Sequence, residues 1–193
     1  WRLAGADAGP DTELRSADPT QWLFNGWPTS STTPLHAAVA RLAGYRWPQQ
    51  PESDDLDRLA DVDGVVCLPS VAGEPPASDR LQQLLGVAFG SSWSPAKQKE
   101  LLEESGSKKT NLADWLRDDF FKQHCALFGH RPYIWHIWDG LPDGFAALVN
   151  YHKLDHRRLE RLTYAYLGDW ITRRAEELNQ KVPGAQTRLD AAE

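Results

Sequence analysis

Methionine is absent from the chain, and cysteine occurs only twice, at Cys67 and Cys125. An intact bacterial-type gene product would begin with Met, so the sequence reads as a piece of a longer protein. Two cysteines far apart, with no secretory signal, cannot frame a disulfide scaffold and read as reduced thiols in a cytoplasmic setting. No apolar run approaches the ~20 residues of a membrane span, so no membrane partner is expected. Positive charge is also short: 21 Lys and Arg against 27 Asp and Glu leave a net charge of −6. That balance excludes a generally basic nucleic-acid-binding protein. Several catalytic signatures are missing as well. There is no HExxH or CxxC metal pattern, no GxSxG nucleophile elbow, and no GxGxxG or GxxxxGK phosphate loop.

Against these absences stand nine tryptophans, most of which need at least partial burial. At 193 residues the chain makes one large domain or two small ones and can bury its own core. The organising stretch is His130–Trp170. Its first apolar run, Arg131–Trp138, alternates Tyr133, Trp135 and Ile137 with Ile134, His136 and Trp138. Both faces carry bulk, which predicts a strand covered on both sides. Asp139–Gly144 contains Asp-Gly twice and a Pro, a strong turn signal. The second run, 145–152, alternates Phe145, Ala147, Val149 and Tyr151 with Ala146, Leu148, Asn150 and His152. A β-hairpin of 131–138 and 145–152 follows, with Trp135 and Tyr151 buried. Asp155 then caps a helix, Leu154 and Leu159 match a hydrophobic staple, and Leu159, Leu162, Tyr166, Trp170 and Ile171 recur at helical spacing. Gly168 interrupts that pattern and suggests close approach by a neighbouring backbone.

Elsewhere the punctuation predicts mostly helices. Asp18-Pro19 opens a short one through Leu23. Thr33-Pro34 opens another, with Leu35, Ala38, Val39 and Leu42 on its stripe, His36 on a solvated face and Gly44 as its stop. Ser78 is read as the cap of a helix carrying Leu81, Leu84, Leu85, Ala88 and Phe89, and Ser94-Pro95 opens the next. Asn111 starts a single helix to Gly129. Residues 63–69, DGVVCLP, form a short third strand. Residues 1–17 read as a loosely ordered leader, 18–180 as one helical α+β region, and 181–193 as a disordered tail. The fold class is therefore α+β, predominantly helical with a small β-hairpin.

Three chemistries compete. His124, His130, His136, His152 and His156 lie in one segment with Asp139, Asp143 and Asp155, as a metal-dependent nuclease would want. Their spacings fit no ligand signature, so scattered structural histidines are the simpler reading and no metal site is assigned. Cys125 sits on an apolar helical stripe and reads as core, so no catalytic residue is assigned. The third constellation is basic and aromatic: Arg131, Lys153, Arg157, Arg158 and Arg161 near the hairpin and the last helix, and the Lys108–Lys109 pair in a Ser/Gly turn. Arg157 and Arg161, four apart, share a helical face, with Leu159 and Leu162 pointing away toward the core. Such a face suits phosphate contact, and equally suits plain solvation.

The segments RPYIWHIWDG, DGFAALVNYHKLD and LTYAYLGDWI, in this order, resemble the C-terminal region of large adenine-specific DNA methyltransferases. These are the fused type II restriction–modification enzymes and their relatives in the BREX (PglX-like) and DISARM phage-defence systems. LHAAVARLAGYRWP and DRLQQLLGVAFGSSW extend the resemblance upstream. In that family a separate Rossmann-like domain binds S-adenosylmethionine and carries an Asn-Pro-Pro-Tyr motif, which this sequence lacks. The resemblance therefore implies a cofactor-free accessory or target-recognition region, not catalytic by itself. It would meet double-stranded DNA through the parent protein, in the cytoplasm, with other defence-system subunits as further candidate partners. A helical protein–protein interaction module of a defence complex is the alternative class, and salt-dependent DNA binding separates the two.

Overall fold

The computed structural model describes residues 26–47 and 55–180. The leader, the helix expected at 18–23 and the tail lie outside the described residues. The fold is α+β and predominantly helical, around one antiparallel sheet of three strands. Strand β1 is Val65–Cys67, β2 is Ile134–Trp138 and β3 is Ala146–Asn150, in the order β1-β3-β2. The helices are α1 Pro34–Leu42, α2 Ala77–Phe89, α3 Pro95–Glu104, α4 Leu112–Asp118, α5 Phe120–Leu127, α6 His156–Glu160 and α7 Gly168–Asn179. A π-helical turn, Arg161–Leu167, joins α6 to α7, so 156–179 runs as one last helix.

The hairpin forms around the turn its residues specify. Asp139 is the anchor: its carboxylate accepts the backbone N–H of Leu141 (2.9 Å) and of Phe145 (2.7 Å). Any Cβ at Gly144 would run into that carboxylate, so the second Asp-Gly needs its glycine. The second strand is shorter than expected. Asn150 turns the chain at Tyr151–Lys153 by accepting the N–H groups of His152 (3.0 Å) and Lys153 (3.2 Å).

Strand order decides which run is covered. β1 pairs with β3, which makes β3 central and fully buried and leaves β2 at the edge. Val66, Leu148 and Ile134 face a core built from α1 to α5. Val65, Cys67, Ala147 and Val149 face a second core closed by Leu162, Tyr166 and Trp170 of the last helix. Trp135 is level with Val149 but lies on the edge strand, where it is 45 % exposed. It stacks on Tyr151 (centroids 5.5 Å, 16° between planes), which is 51 % exposed. The expected burial of both side chains is thus wrong, because the second core closes over β1 and β3 and leaves Trp135 on β2 outside it.

Further corrections concern helices. Ser94, Asn111 and Asp155 cap as expected, accepting from Lys97 (3.2 Å), Asp114 (2.8 Å) and Arg158 (2.8 Å). Ser78 does not, because α2 already begins at Ala77 after Pro76. Thr33 occupies the N-cap of α1 without making a side-chain cap bond. The helix expected from 111 to 129 breaks at Asp119, whose carboxylate is tied to the Ser107 hydroxyl (2.5 Å). His36 is buried, not solvated, because α1 is packed on every side from Leu35 to Leu42. Leu159 is exposed, so the buried stripe starts one turn later than expected and the staple lacks its partner. Beside Gly168 a Cβ would meet only the carbonyl of Thr163 in its own helix, at 3.8 Å, so no neighbouring backbone approaches there.

The π turn has a packing reason. Leu162, Tyr166 and Trp170 recur every four residues, and at about 100° per residue an α-helix would rotate that stripe by roughly 40° at each step. The wider i→i+5 turn cancels the drift, and all three remain buried.

Candidate nucleic-acid interface

The basic residues singled out in the sequence separate into two groups. Arg161 is held by Asp63 at 2.7 Å and lies over the Tyr166 ring. Arg158 pairs with Asp155 at 2.5 Å, the same carboxylate that caps α6. Lys109 pairs with Asp118 at 2.5 Å, and that hydrogen bond pushes its pKa up. Lys153 fills the space beside Gly44 and Gly64, and its amine donates to the carbonyls of Asp61 and Val62, each at 3.3 Å. Desolvation there lowers its pKa. These four cations are engaged by partners within the fold. Arg131, Arg157 and Lys108 are exposed and make no ion pair among the described residues.

The structure adds a residue the sequence did not single out. Lys108, Lys109 and Lys122 line one shallow depression with Asp119 and Gln123, about 450 Å³ in volume. Its only sequence signal is that Lys122 falls off the buried Phe120–His124 stripe of α5. Close in the chain to Arg131, the Trp135 indole folds back and donates to the Pro132 carbonyl at 3.2 Å, so an exposed aromatic pair stands near an exposed cation.

A carboxylate network was also missed. Asp61 is buried and accepts the N–H groups of Asp63 (2.9 Å) and Val65 (3.0 Å) and the guanidinium of Arg80 (3.0 Å). Arg80 reaches on to Glu74 at 3.0 Å, and Glu74 accepts the Tyr166 hydroxyl at 3.0 Å. Burial and the Glu74 charge push the Tyr166 hydroxyl pKa up. This chain of paired charges fastens the last helix to the entrance of β1. Its members are scattered polar residues with no spacing rule, so only the tertiary structure reveals them.

Among the described residues no three His, Cys, Asp or Glu side chains converge as a metal site. His124 accepts the N–H groups of Tyr133 (3.3 Å) and Ile134 (3.2 Å) inside the first core, His136 packs on Phe121, and His156 pairs with Glu160 at the surface. The histidine cluster of the sequence is dispersed. Burial raises the pKa of Cys67 and Cys125, which favours the protonated thiol at both. No described helix is long and apolar enough to cross a membrane.

No family model matches the chain. Over 122 residues, 61 % of its length, it is 29 % identical to "Adenine-specific methyltransferase PglX" of Lacticaseibacillus casei (strain Zhang). That stretch is 10 % of the relative, so the chain spans about a tenth of the length of the curated protein it matches. By sequence, then, this α+β unit is similar to a methyltransferase-related region.

Proposed function

We propose that this chain is the C-terminal accessory or target-recognition region of an adenine-specific DNA methyltransferase in a restriction–modification or phage-defence system. The likeness to a tenth-length stretch of a PglX adenine methyltransferase carries this reading. Methyl transfer and S-adenosylmethionine binding belong to other parts of the parent, since no Asn-Pro-Pro-Tyr motif or glycine cofactor loop occurs in the sequence. DNA is met through phosphates at Arg131 and Arg157 and at the Lys108–Lys122 depression. Such contacts position the protein and read no bases. Arg161 and Lys153 serve indirectly, by tying the last helix and the turn before it to the 61–63 loop, and Arg158 by pairing with the Asp155 cap.

The test is DNA binding by the full-length parent across a salt series. With Arg131, Arg157 and Lys108 all changed to Ala, affinity should fall alike for every DNA sequence. The salt slope should shrink by about one unit for each phosphate that is no longer neutralised. Unchanged affinity and slope would favour the second reading, a protein–protein module of a defence complex. That reading draws on the exposed edge strand β2 with Trp135 and Trp138. The chain alone is expected to give no heat with S-adenosylmethionine in calorimetry, and micromolar binding would place the cofactor site here instead.

A further inference from the structure

We propose that the outer edge of β2 pairs with a second copy of this chain, antiparallel, about a twofold axis at Ile137.

The ladder shows which backbone groups point outward. Tyr151 donates its N–H to the Tyr133 carbonyl (3.0 Å), and Asp139 donates its N–H to the Phe145 carbonyl (3.2 Å). In an antiparallel pair such bonds fall on alternate residues. Tyr133, Trp135, Ile137 and Asp139 therefore turn their backbone groups toward β3, while Ile134, His136 and Trp138 turn theirs away from it. The Ile134 N–H is already used, since it donates to His124 Nε2 at 3.2 Å. The N–H and C=O groups of His136 and Trp138 have no partner among the described residues. Exposed edges are ordinarily guarded by Lys, by Pro or by a bulge. Ile134–Trp138 contains no charged residue and no Pro, its register runs without a bulge, and Trp138 is 54 % exposed.

The flanking charges choose the occupant. Arg131 precedes the strand and Asp143 lies in the turn after it. Both are exposed, and neither makes an ion pair among the described residues. A parallel copy would set like charges side by side. An antiparallel copy sets each Arg131 toward the turn that carries the other copy's carboxylate. Arg131 and Asp143 stand equally far from Ile137 in the sequence, so an axis there brings them level. The same axis places His136 of one copy opposite Trp138 of the other. Each His136 N–H then donates to a Trp138 carbonyl, and each Trp138 N–H to a His136 carbonyl, so all the free groups are met. Ile137 packs on its own copy across the axis, as cross-strand neighbours do. Pairing closes the edge and stops at two chains. It gives the protein–protein reading a definite partner, and Arg131 then serves a carboxylate in the dimer or a phosphate on DNA, one at a time.

The experiment is sedimentation of the full chain across a concentration series into the hundreds of micromolar. A monomer–dimer equilibrium is expected. Arg131→Asp and Asp143→Arg should each weaken it about tenfold, since the axis makes every change twice, and the double variant should restore it. Amide exchange supplies a second readout: the His136 and Trp138 protons should slow as concentration rises, while those of Trp135 and Ile137 are protected already. A monomer at every concentration overturns the proposal, as does growth beyond two chains. So does a dimer that the single reversals leave intact or that the double variant fails to restore. No DNA enters the assay, so the DNA reading stands or falls separately.

Discussion

Helix α1 buries every side chain from Leu35 to Leu42, including His36 and Arg41, whereas the last helix buries only Leu162, Tyr166 and Trp170. Both carry an apolar stripe at helical spacing. The difference lies in how many layers surround each. α1 is sandwiched among the helices of the first core, and its small residues Ala37, Ala38 and Ala40 let neighbours approach. The last helix covers one face of a sheet and turns the rest of itself to water. A stripe shows which side of a helix is buried first, but not whether the other side is buried too. Polar residues on the far side of α1 must therefore be satisfied inside: Arg41 donates to the Gly26 carbonyl (2.8 Å) and pairs with Asp57 (3.0 Å).

The contrast is broken most severely at Arg41. Arg41→Ala should cost about 3–5 kcal/mol in urea unfolding, because a fully buried side chain is truncated and the Gly26 carbonyl loses that donor, although Asp57 keeps Arg46 at 3.0 Å. Arg158→Ala on the last helix should cost less than about 1 kcal/mol, its pair being open to solvent. Equal losses at the two sites would mean that burial does not separate the helices. The tryptophans make the next comparison. Trp170→Ala should cost roughly 3–5 kcal/mol as a core truncation. Trp135→Ala should remove only a surface aromatic stack, about 1 kcal/mol.

A pH series sharpens the comparison further. Burial lowers the pKa of His36 from 6.5 to about 4, and burial together with the His36 charge lowers that of His124 to about 3. Below 6.5 the unfolded chain takes up protons that the folded chain refuses. The stability is full above that pH and falls as acid is added, to about pH 4 for His36 and about pH 3 for His124. Each histidine should account for roughly 2 kcal/mol of loss by pH 5. Stability unchanged between pH 7 and pH 5 would contradict their burial in neutral form. At the cap of the last helix, Asp155→Ala removes both the cap bond and the Arg158 pair and should lower the melting temperature by a few degrees.

Local chemistry made much of this fold legible. Asp139 and Gly144 announce the turn, DGVVCLP announces β1, and Ser94, Asn111 and Asp155 announce helix starts. What depends on relations between distant segments is not legible. Whether Trp135 is covered depends on β1 choosing β3 over β2. Whether His36 meets water depends on α5 lying across α1. The sequence places most of the basic residues near the hairpin and the last helix, but Asp61, Asp63 and Asp118, which occupy or surround three of them, come from other stretches. The π turn leaves one trace, the strict spacing of four through Leu162, Tyr166 and Trp170, which an α-helical reading passes over.

The strand order also sets a timetable. β2 finds β3 across a short turn, so the hairpin can close as soon as residue 150 has left the ribosome, at small entropic cost. β1 is made much earlier, yet its partner is β3. Val65, Val66 and Cys67 must wait, unpaired and apolar, while four helices are synthesised between them and their place in the sheet. Asn150 arrives with that place and donates to the Ala43 carbonyl at 2.9 Å, joining the end of the hairpin to the end of α1. Chains stopped short of β3 would carry the VVC segment with nothing to pair it, and are the species a chaperone would need to hold.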